Sequence, residues 1–427
     1  MKWQLGLILF VFAFFGIWTA NVTPYRTAGI LRFQRDAAGN HAQIPDIGAP
    51  DERQHANYIA YLLKERKFPV LVPGSADLGE MYQAHQPPLY YILASTLGDP
   101  TTPDGAKTRY INVLIGLATL VALFRIGKIC TSSESVGFAV AAMGLLPGFL
   151  VLHAAVSNDP LVICLSAWSV VFLLLGVVNG WTFRIAVAAG VCAGLAMLTK
   201  SSAVALAPTT LAAIIVSIRN QNKPDIKALA GLIAVPILIA LPWLMRNQSL
   251  YGDPLALKAF TEAFTGSPKA EMFIQAFGAP TYWTDYVAWW TYRSFIAAYG
   301  YMDIFLDSNT YRIFGAVIVV FLLGHILKSR TSPDDRAAQG APAVLWTLFT
   351  IVVLQFLMFN RTYFQGQARY LMPAAPAIFF AFGLGLVYLF KSKKELAFLI
   401  PLALFGGLHF WLLSSYLPQQ FAMRILP

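Results

Sequence analysis

Charge is what this sequence has least of. Asp, Glu, Lys and Arg make up only 12% of its 427 residues, while apolar residues reach 57%. A soluble domain carries about 25% charged residues, so a soluble globular protein is excluded and the chain reads as an integral membrane protein. Cysteine is scarce too. Cys130, Cys164 and Cys192 lie in or beside apolar runs with no metal-type spacing, which reads as inert core thiols rather than ligands. No Gly-rich phosphate loop of the Walker or Rossmann form stands at a strand-to-helix turn, so a soluble nucleotide site has no support. The net charge of +10 is dispersed among helix ends rather than gathered in a patch, which argues against nucleic acid and for membrane topology.

What is present is a series of apolar runs of membrane-spanning length. Eleven spans are expected, centred on 5–19, 111–124, 136–152, 161–178, 185–198, 203–218, 228–245, 313–327, 343–359, 370–390 and 396–417. Together they read as an all-α polytopic membrane protein, with residues 1–427 forming a single helical domain. The first run follows Met1-Lys2 with no clear small-x-small cleavage site, so it is expected to be a retained anchor. With a cytoplasmic N-terminus, alternate loops carry Arg125 and Lys128, then Arg184, then Arg219, Lys223 and Lys227, then Lys328, Arg330 and Arg336, then Lys391, Lys393 and Lys394. All of these loops are then inside, as the positive-inside rule requires. Two long segments, 20–110 and 246–312, are consequently outside. Both are rich in aromatic residues, which suits juxtamembrane helices lying among headgroups.

This sidedness makes the ionisable residues of the outer face informative: Asp51, Glu52, His55, His85, Arg109, Asp159, Lys200, Arg246, Arg361 and Arg369. Cations on the side that the bias disfavours need a reason. An anionic ligand supplies one, because guanidinium and ammonium groups hold phosphate through charge-assisted hydrogen bonds.

Several fragments in this order resemble the membrane-embedded glycosyltransferases of the GT-C type, including protein O-mannosyltransferases and the aminoarabinose transferase of lipid A. They are Asp51-Glu52, Pro87-Pro88-Leu89-Tyr90-Tyr91, Ser157-Asn158-Asp159-Pro160, Gly194 to Lys200, Leu241-Pro242-Trp243 and Gln367 to Pro373. The pieces Pro242 to Asn247 and Tyr251 to Pro254, with Ser294 to Asp303, look closest to bacterial members whose activity is unassigned. One departure stands out: Gln86 separates His85 from Pro87, which puts the family's histidine role in doubt. The resemblance implies a GT-C-like fold and an inverting transfer of a sugar from a polyprenyl-phosphate donor to a lipid, glycan or protein acceptor. It also implies a multi-pass protein of a bacterial inner membrane, with its site on the extracytoplasmic face.

Such a reaction needs a carboxylate to take the acceptor proton and cations to stabilise charge on the departing phosphate. The resemblance assigns the carboxylate to Asp51, with Glu52 and Asp159 as candidates that could share or exchange the role. Donor contacts are expected from Lys200, Arg246, Arg369 and Arg109, with His85 and Gln86 beside them. Simpler roles stand next to these: a solvated pair of acids at Asp51-Glu52, a helix cap at Asn158 or Asp159 before Pro160, and a snorkelling cation at Lys200. His55 follows Asp51 by four residues and shares its face if 52–61 is helical. His55 and His85 leave room for a divalent metal assembled from separate loops, although no cofactor is required. Two other classes compete, a transporter or flippase of lipid-linked glycans and a non-catalytic assembly protein for envelope glycans. The former predicts ionisable residues near mid-depth; His409 is the clearest one here.

Overall fold

A computed structural model describes residues 3–331 and 340–426. Among them, nine helices are long and apolar enough to cross a membrane: Trp3–Val22, Gly105–Thr131, Asp159–Asn179, Ser201–Arg219, Ile226–Tyr251, Ser308–Lys328, Ala341–Asn360, Met372–Leu389 and Leu399–Ala422. The protein is therefore a multi-pass membrane protein of mostly helical architecture. Two shorter apolar helices, Glu134–Leu145 and Phe183–Met197, stand where the third and fifth spans were expected.

The third span departs most from expectation. Its helix gives way to a 3-10 turn at Met143–Leu145 and then to extended backbone at Leu146 (ψ 127°), before Pro147 opens a new short helix, Pro147–Leu152. Proline disfavours helical geometry in the residue before it and is well placed at the first turn of a helix. Non-helical backbone at this depth is tolerated because it is enclosed by protein: Met143, Leu145, Leu146, Phe149 and Leu150 are all buried. The fifth helix, Phe183–Met197, comes so close to Ile226–Tyr251 that a side chain at Gly190 would meet the Gly231 carbonyl.

Asp159–Asn179 and Met372–Leu389 are the most enclosed long helices, whereas Ile226–Tyr251, Ser308–Lys328 and Ala341–Asn360 leave much of their apolar surface open to lipid. The helix ends carrying Arg109, Asp159 and Arg246 meet the long polar segments and turns, Arg109 through Glu52, Asp159 through Lys200 and Arg246 through the Pro69 carbonyl. Lys2 and Arg336 lie outside the described residues.

The two long polar segments lie over these helix ends. The first holds a two-stranded antiparallel hairpin, Gly29–Arg35 with His41–Ile44, that sequence analysis did not foresee. Its turn is held by the Asp36 carboxylate, which accepts from the Ala38 and Asn40 amides. The hairpin is tied to the chain's far end, since the Ile30 amide donates to the Arg424 carbonyl. Helix Glu52–Glu65 and the short helix Leu89–Ser95 follow. The second segment carries the short helices Leu257–Ala263, Ala270–Phe277 and Trp289–Ile296, with Leu257, Met272 and Phe277 exposed.

Candidate active site

The start of helix Glu52–Glu65 sends two neighbouring acids in opposite directions. Asp51, just before the helix, adopts a left-handed backbone (φ 63°), a costly conformation for a non-glycine residue. Its side chain reaches a cavity of about 400 Å³. Glu52, one residue on, turns into the protein. It meets Arg109 through two hydrogen bonds, Nε to Oε1 at 2.7 Å and Nη2 to Oε2 at 2.5 Å, with both side chains fully buried. Oε1 also accepts from the Val156 amide, and the Arg109 guanidinium donates to the carbonyls of Ala20, Thr23 and Pro24. The pair joins the first helix, the first long segment and the 153–158 turn. Neither member lines the cavity, so Glu52 has no open face for an acceptor and Arg109 none for a phosphate.

Around the cavity stand two more ion pairs. The Asp51 carboxylate accepts from Arg369 Nη1 at 2.7 Å and, through its other oxygen, from the Tyr82 hydroxyl at 2.6 Å. Burial pushes the Asp51 carboxyl up, but the Arg369 guanidinium and the Tyr82 hydroxyl outweigh it and hold the group at about 2. Lys200 Nζ meets Asp159 Oδ1 at 2.5 Å. Asp159 opens helix Asp159–Asn179, and the helix-cap expectation fails in detail: neither it nor Asn158 makes a side-chain capping bond. The Asn158 amide instead donates to the Thr199 carbonyl and to Gln86 Oε1.

His55, His85 and Gln86 also line the cavity. His55 comes to the same cavity as Asp51, although Asp51 precedes the helix and is not on its face. Burial pushes its imidazole down to about 4, against the pull of Asp51 and Asp159, and Nδ1 is engaged with the Tyr91 hydroxyl at 2.8 Å. Burial likewise lowers His85 to about 4; its Nδ1 lies 2.9 Å from the Tyr82 carbonyl, and its Nε2 lies 3.1 Å from Gln86 Nε2. A divalent metal does not fit this set. Each carboxylate already holds a cation, and among the described residues no three His, Cys, Asp or Glu side chains are grouped to hold an ion.

Arg246, expected at the donor phosphate, stands outside the cavity lining. Its guanidinium caps the Trp243 ring at 4.4 Å and donates to the Pro69 carbonyl at 2.7 Å, clamping the loop before Leu71. Tyr82, missing from the sequence-derived set, is the contact that shapes Asp51, and only its place three residues before His85 hints at it. One flank of the wall is aromatic, with Phe260 and Phe264 from the second segment opposite Phe356 and Phe359 at the end of Ala341–Asn360, while Ser201, Ser202, Gln355 and Gln365 add polar groups. The cavity thus has a charged floor and an aromatic flank, which suits a molecule with an anionic head and a hydrocarbon body.

A family model described as dolichyl-phosphate-mannose-protein mannosyltransferase matches residues 85–245. No curated protein matches the sequence. Among solved structures, the oligosaccharyltransferase AglB of Archaeoglobus fulgidus, in complex with an inhibitory peptide and a dolichol-phosphate, is 16% identical. It matches with a TM-score of 0.57 over 100% of this chain and 56% of its own. The same organism's enzyme in the apo form gives 0.55 at 14% identity, over 99% and 56%. ArnT from Cupriavidus metallidurans, bound to undecaprenyl phosphate, gives 0.50 at 14% identity, over 86% of this chain and 61% of its own. The chain spans a little over half the length of these structures. Its fold is GT-C-like, as its resemblance to the GT-C type membrane glycosyltransferases implied.

Proposed function

We propose that the protein is a glycosyltransferase that moves a sugar from a polyprenyl-phosphate donor to an acceptor hydroxyl, at the extracytoplasmic face of a bacterial inner membrane. The observation that carries this reading is the doubly ion-paired floor of the cavity, Asp51 with Arg369 and Asp159 with Lys200, set beside an aromatic wall. The matched structures with dolichol-phosphate and undecaprenyl phosphate support the class of donor.

In this reading the ion pairs are a resting state. A carboxylate held at about 2 is a poor base, because Arg369 and Tyr82 stabilise its charge. A donor phosphate entering the cavity competes for Arg369 and Lys200, and the loss of the Arg369 contact raises the proton affinity of Asp51. Asp51 then takes the acceptor proton as the new bond forms, while both cations stabilise charge on the departing phosphate. The transfer is a single inverting displacement. Asp159 keeps Lys200 oriented, and the neutral His55 holds the Tyr91 side of the site without competing for the anion. The gathering of charge at one end of the bundle favours surface chemistry over a translocation path, and His409 is tied to the Leu145 carbonyl.

The test is direct binding of undecaprenyl phosphate to the purified protein. Removing one partner of a buried charged contact costs about 2 to 5 kcal/mol, so Lys200→Ala and Arg369→Ala should each weaken binding at least tenfold. Wild-type affinity in both variants rejects the site.

A further inference from the structure

A second cavity lies beside the first, on the far side of Tyr82. It measures about 250 Å³ and is walled by Gln34 and Gln43 of the hairpin, Asp46, Arg53 and Gln54 at the start of helix Glu52–Glu65, and Tyr301 from the second long segment. Tyr82 stands between the two cavities: its hydroxyl donates to Asp51 at 2.6 Å and meets Gln54 Oε1, in the wall of the second cavity, at 3.1 Å. The wall of the second cavity therefore lies one side chain, Tyr82, away from the proposed base, on a side that the aromatic wall does not occupy.

Its chemistry differs from that of the first. Arg53 is the only cation among the six residues named, and its Nε is spent on both oxygens of Glu80, at 3.0 and 2.7 Å. Asp46 is buried, with one carboxylate oxygen accepting from the Gly48 amide and the other without a partner. A buried carboxylate beside a cation already paired with Glu80 disfavours a phosphate or another acid. The side-chain amides of Gln34 and Gln43 have no hydrogen-bond partner among the described residues. Primary amides offer both donors and acceptors, the pattern that matches vicinal hydroxyls. Leu31 and Ala42 add apolar surface, and the Tyr301 ring is available to a sugar face. The volume suits a sugar unit and is too small for a folded polypeptide or a lipid tail.

We propose that this cavity is the acceptor subsite and that the acceptor is a neutral glycan, held through its hydroxyls by Gln34, Gln43 and Asp46. The proposal rests on the glycosyl-transfer reading and narrows its acceptor from lipid, glycan or protein to carbohydrate. Tyr82 then links the two halves of the reaction, since it touches Asp51 on one side and the acceptor wall on the other.

The experiment is saturation-transfer NMR on the full chain in nanodiscs, with methyl α-mannoside and methyl β-glucoside as probes and glycerol as the polyol control. Undecaprenyl phosphate affinity is measured on the same samples. The wild type should show transfer to at least one glycoside above the glycerol level. The double variant Gln34→Ala/Gln43→Ala, whose altered side chains are exposed and lie in the hairpin, should weaken it about tenfold. Its lipid affinity should remain that of the wild type. Asp46→Asn keeps the shape and provides a second probe, expected to weaken the glycoside in the same direction. Glycoside signals no stronger than glycerol, or equal signals in the double variant, overturn the proposal. A wild type that binds glycosides in a variant-sensitive way yet fails to bind undecaprenyl phosphate overturns the transfer reading, and the acceptor role with it, while leaving a sugar site.

Discussion

Asp51 and Glu52 are adjacent in the chain, carry the same charge and each meet an arginine, yet they belong to two different kinds of region. The Glu52–Arg109 pair is sealed, with carbonyls and an amide satisfying its remaining hydrogen-bonding capacity. The Asp51–Arg369 and Asp159–Lys200 pairs border open space, and the Arg369 Nε proton has no partner among the described residues. A buried pair that is fully hydrogen-bonded fixes structure and leaves nothing for a ligand. A pair that lines a cavity can exchange partners. The difference lies in what surrounds the charges, not in the charges themselves.

The comparison can be broken most forcefully at the sealed pair. Removing one partner of such a pair leaves an uncompensated buried charge and costs about 3 to 5 kcal/mol. Glu52→Gln and Arg109→Gln should therefore lower the unfolding temperature and the yield of detergent-stable protein sharply, as measured by thermal unfolding. A Glu52→Gln protein of wild-type stability would show that the two regions do not differ as described.

Acid sharpens the contrast on a smaller scale. The folded protein holds His55 and His85 near 4, below the unfolded value of about 6.5. Their contribution to stability is present above about 6.5 and is lost as pH falls towards 4, because the unfolded chain binds the extra protons. Asp46 works in the opposite direction: burial, with Glu52 adding to it, raises its carboxyl to about 6, so its contribution is lost as pH rises through that value. With two histidines against one carboxyl, stability should fall between pH 6.5 and 4. His85→Gln should flatten the slope in a pH series of unfolding temperatures, and an unchanged slope would remove His85 from the account.

Arg246 supplies the smallest effect. It is half-buried, clamps the Pro69 carbonyl and lies outside the main cavity. A contact of this kind contributes about 1 kcal/mol or a little more, so Arg246→Ala should lower stability slightly and leave undecaprenyl phosphate affinity within about threefold. A tenfold loss of lipid affinity would restore it to the donor site.

Much of the site was legible because a membrane sorts charge. Once the basic loops were assigned to one face, Asp51, Asp159, Lys200 and Arg369 stood out on the other, and the fold brings these four to one floor. The same reasoning could not separate Asp51 from Glu52. Their difference arises from a left-handed backbone at Asp51 and from an arginine 57 positions further along. It grouped Arg109 and Arg246 with the donor cations because sidedness reports depth in the membrane and carries no information about lateral neighbours. The break at Leu146–Pro147 was hidden by an unbroken apolar run, since hydropathy records burial while the interruption is a matter of backbone geometry. The hairpin at Gly29–Arg35 and His41–Ile44 escaped notice for a similar reason: it is short and stabilised by contact with the Arg424 end of the chain, which no local pattern encodes.

The central claim is that Asp51, and not its neighbour, takes the acceptor proton. It is tested most directly by single-turnover transfer of labelled sugar from a polyprenyl-phosphate donor to extracted membrane glycans, using reconstituted Asp51→Asn protein whose unfolding temperature has been checked. General-base catalysis contributes about 10² to 10⁴ in rate. The account predicts a loss of that size with folding and lipid binding retained, and turnover near that of the wild type would contradict it.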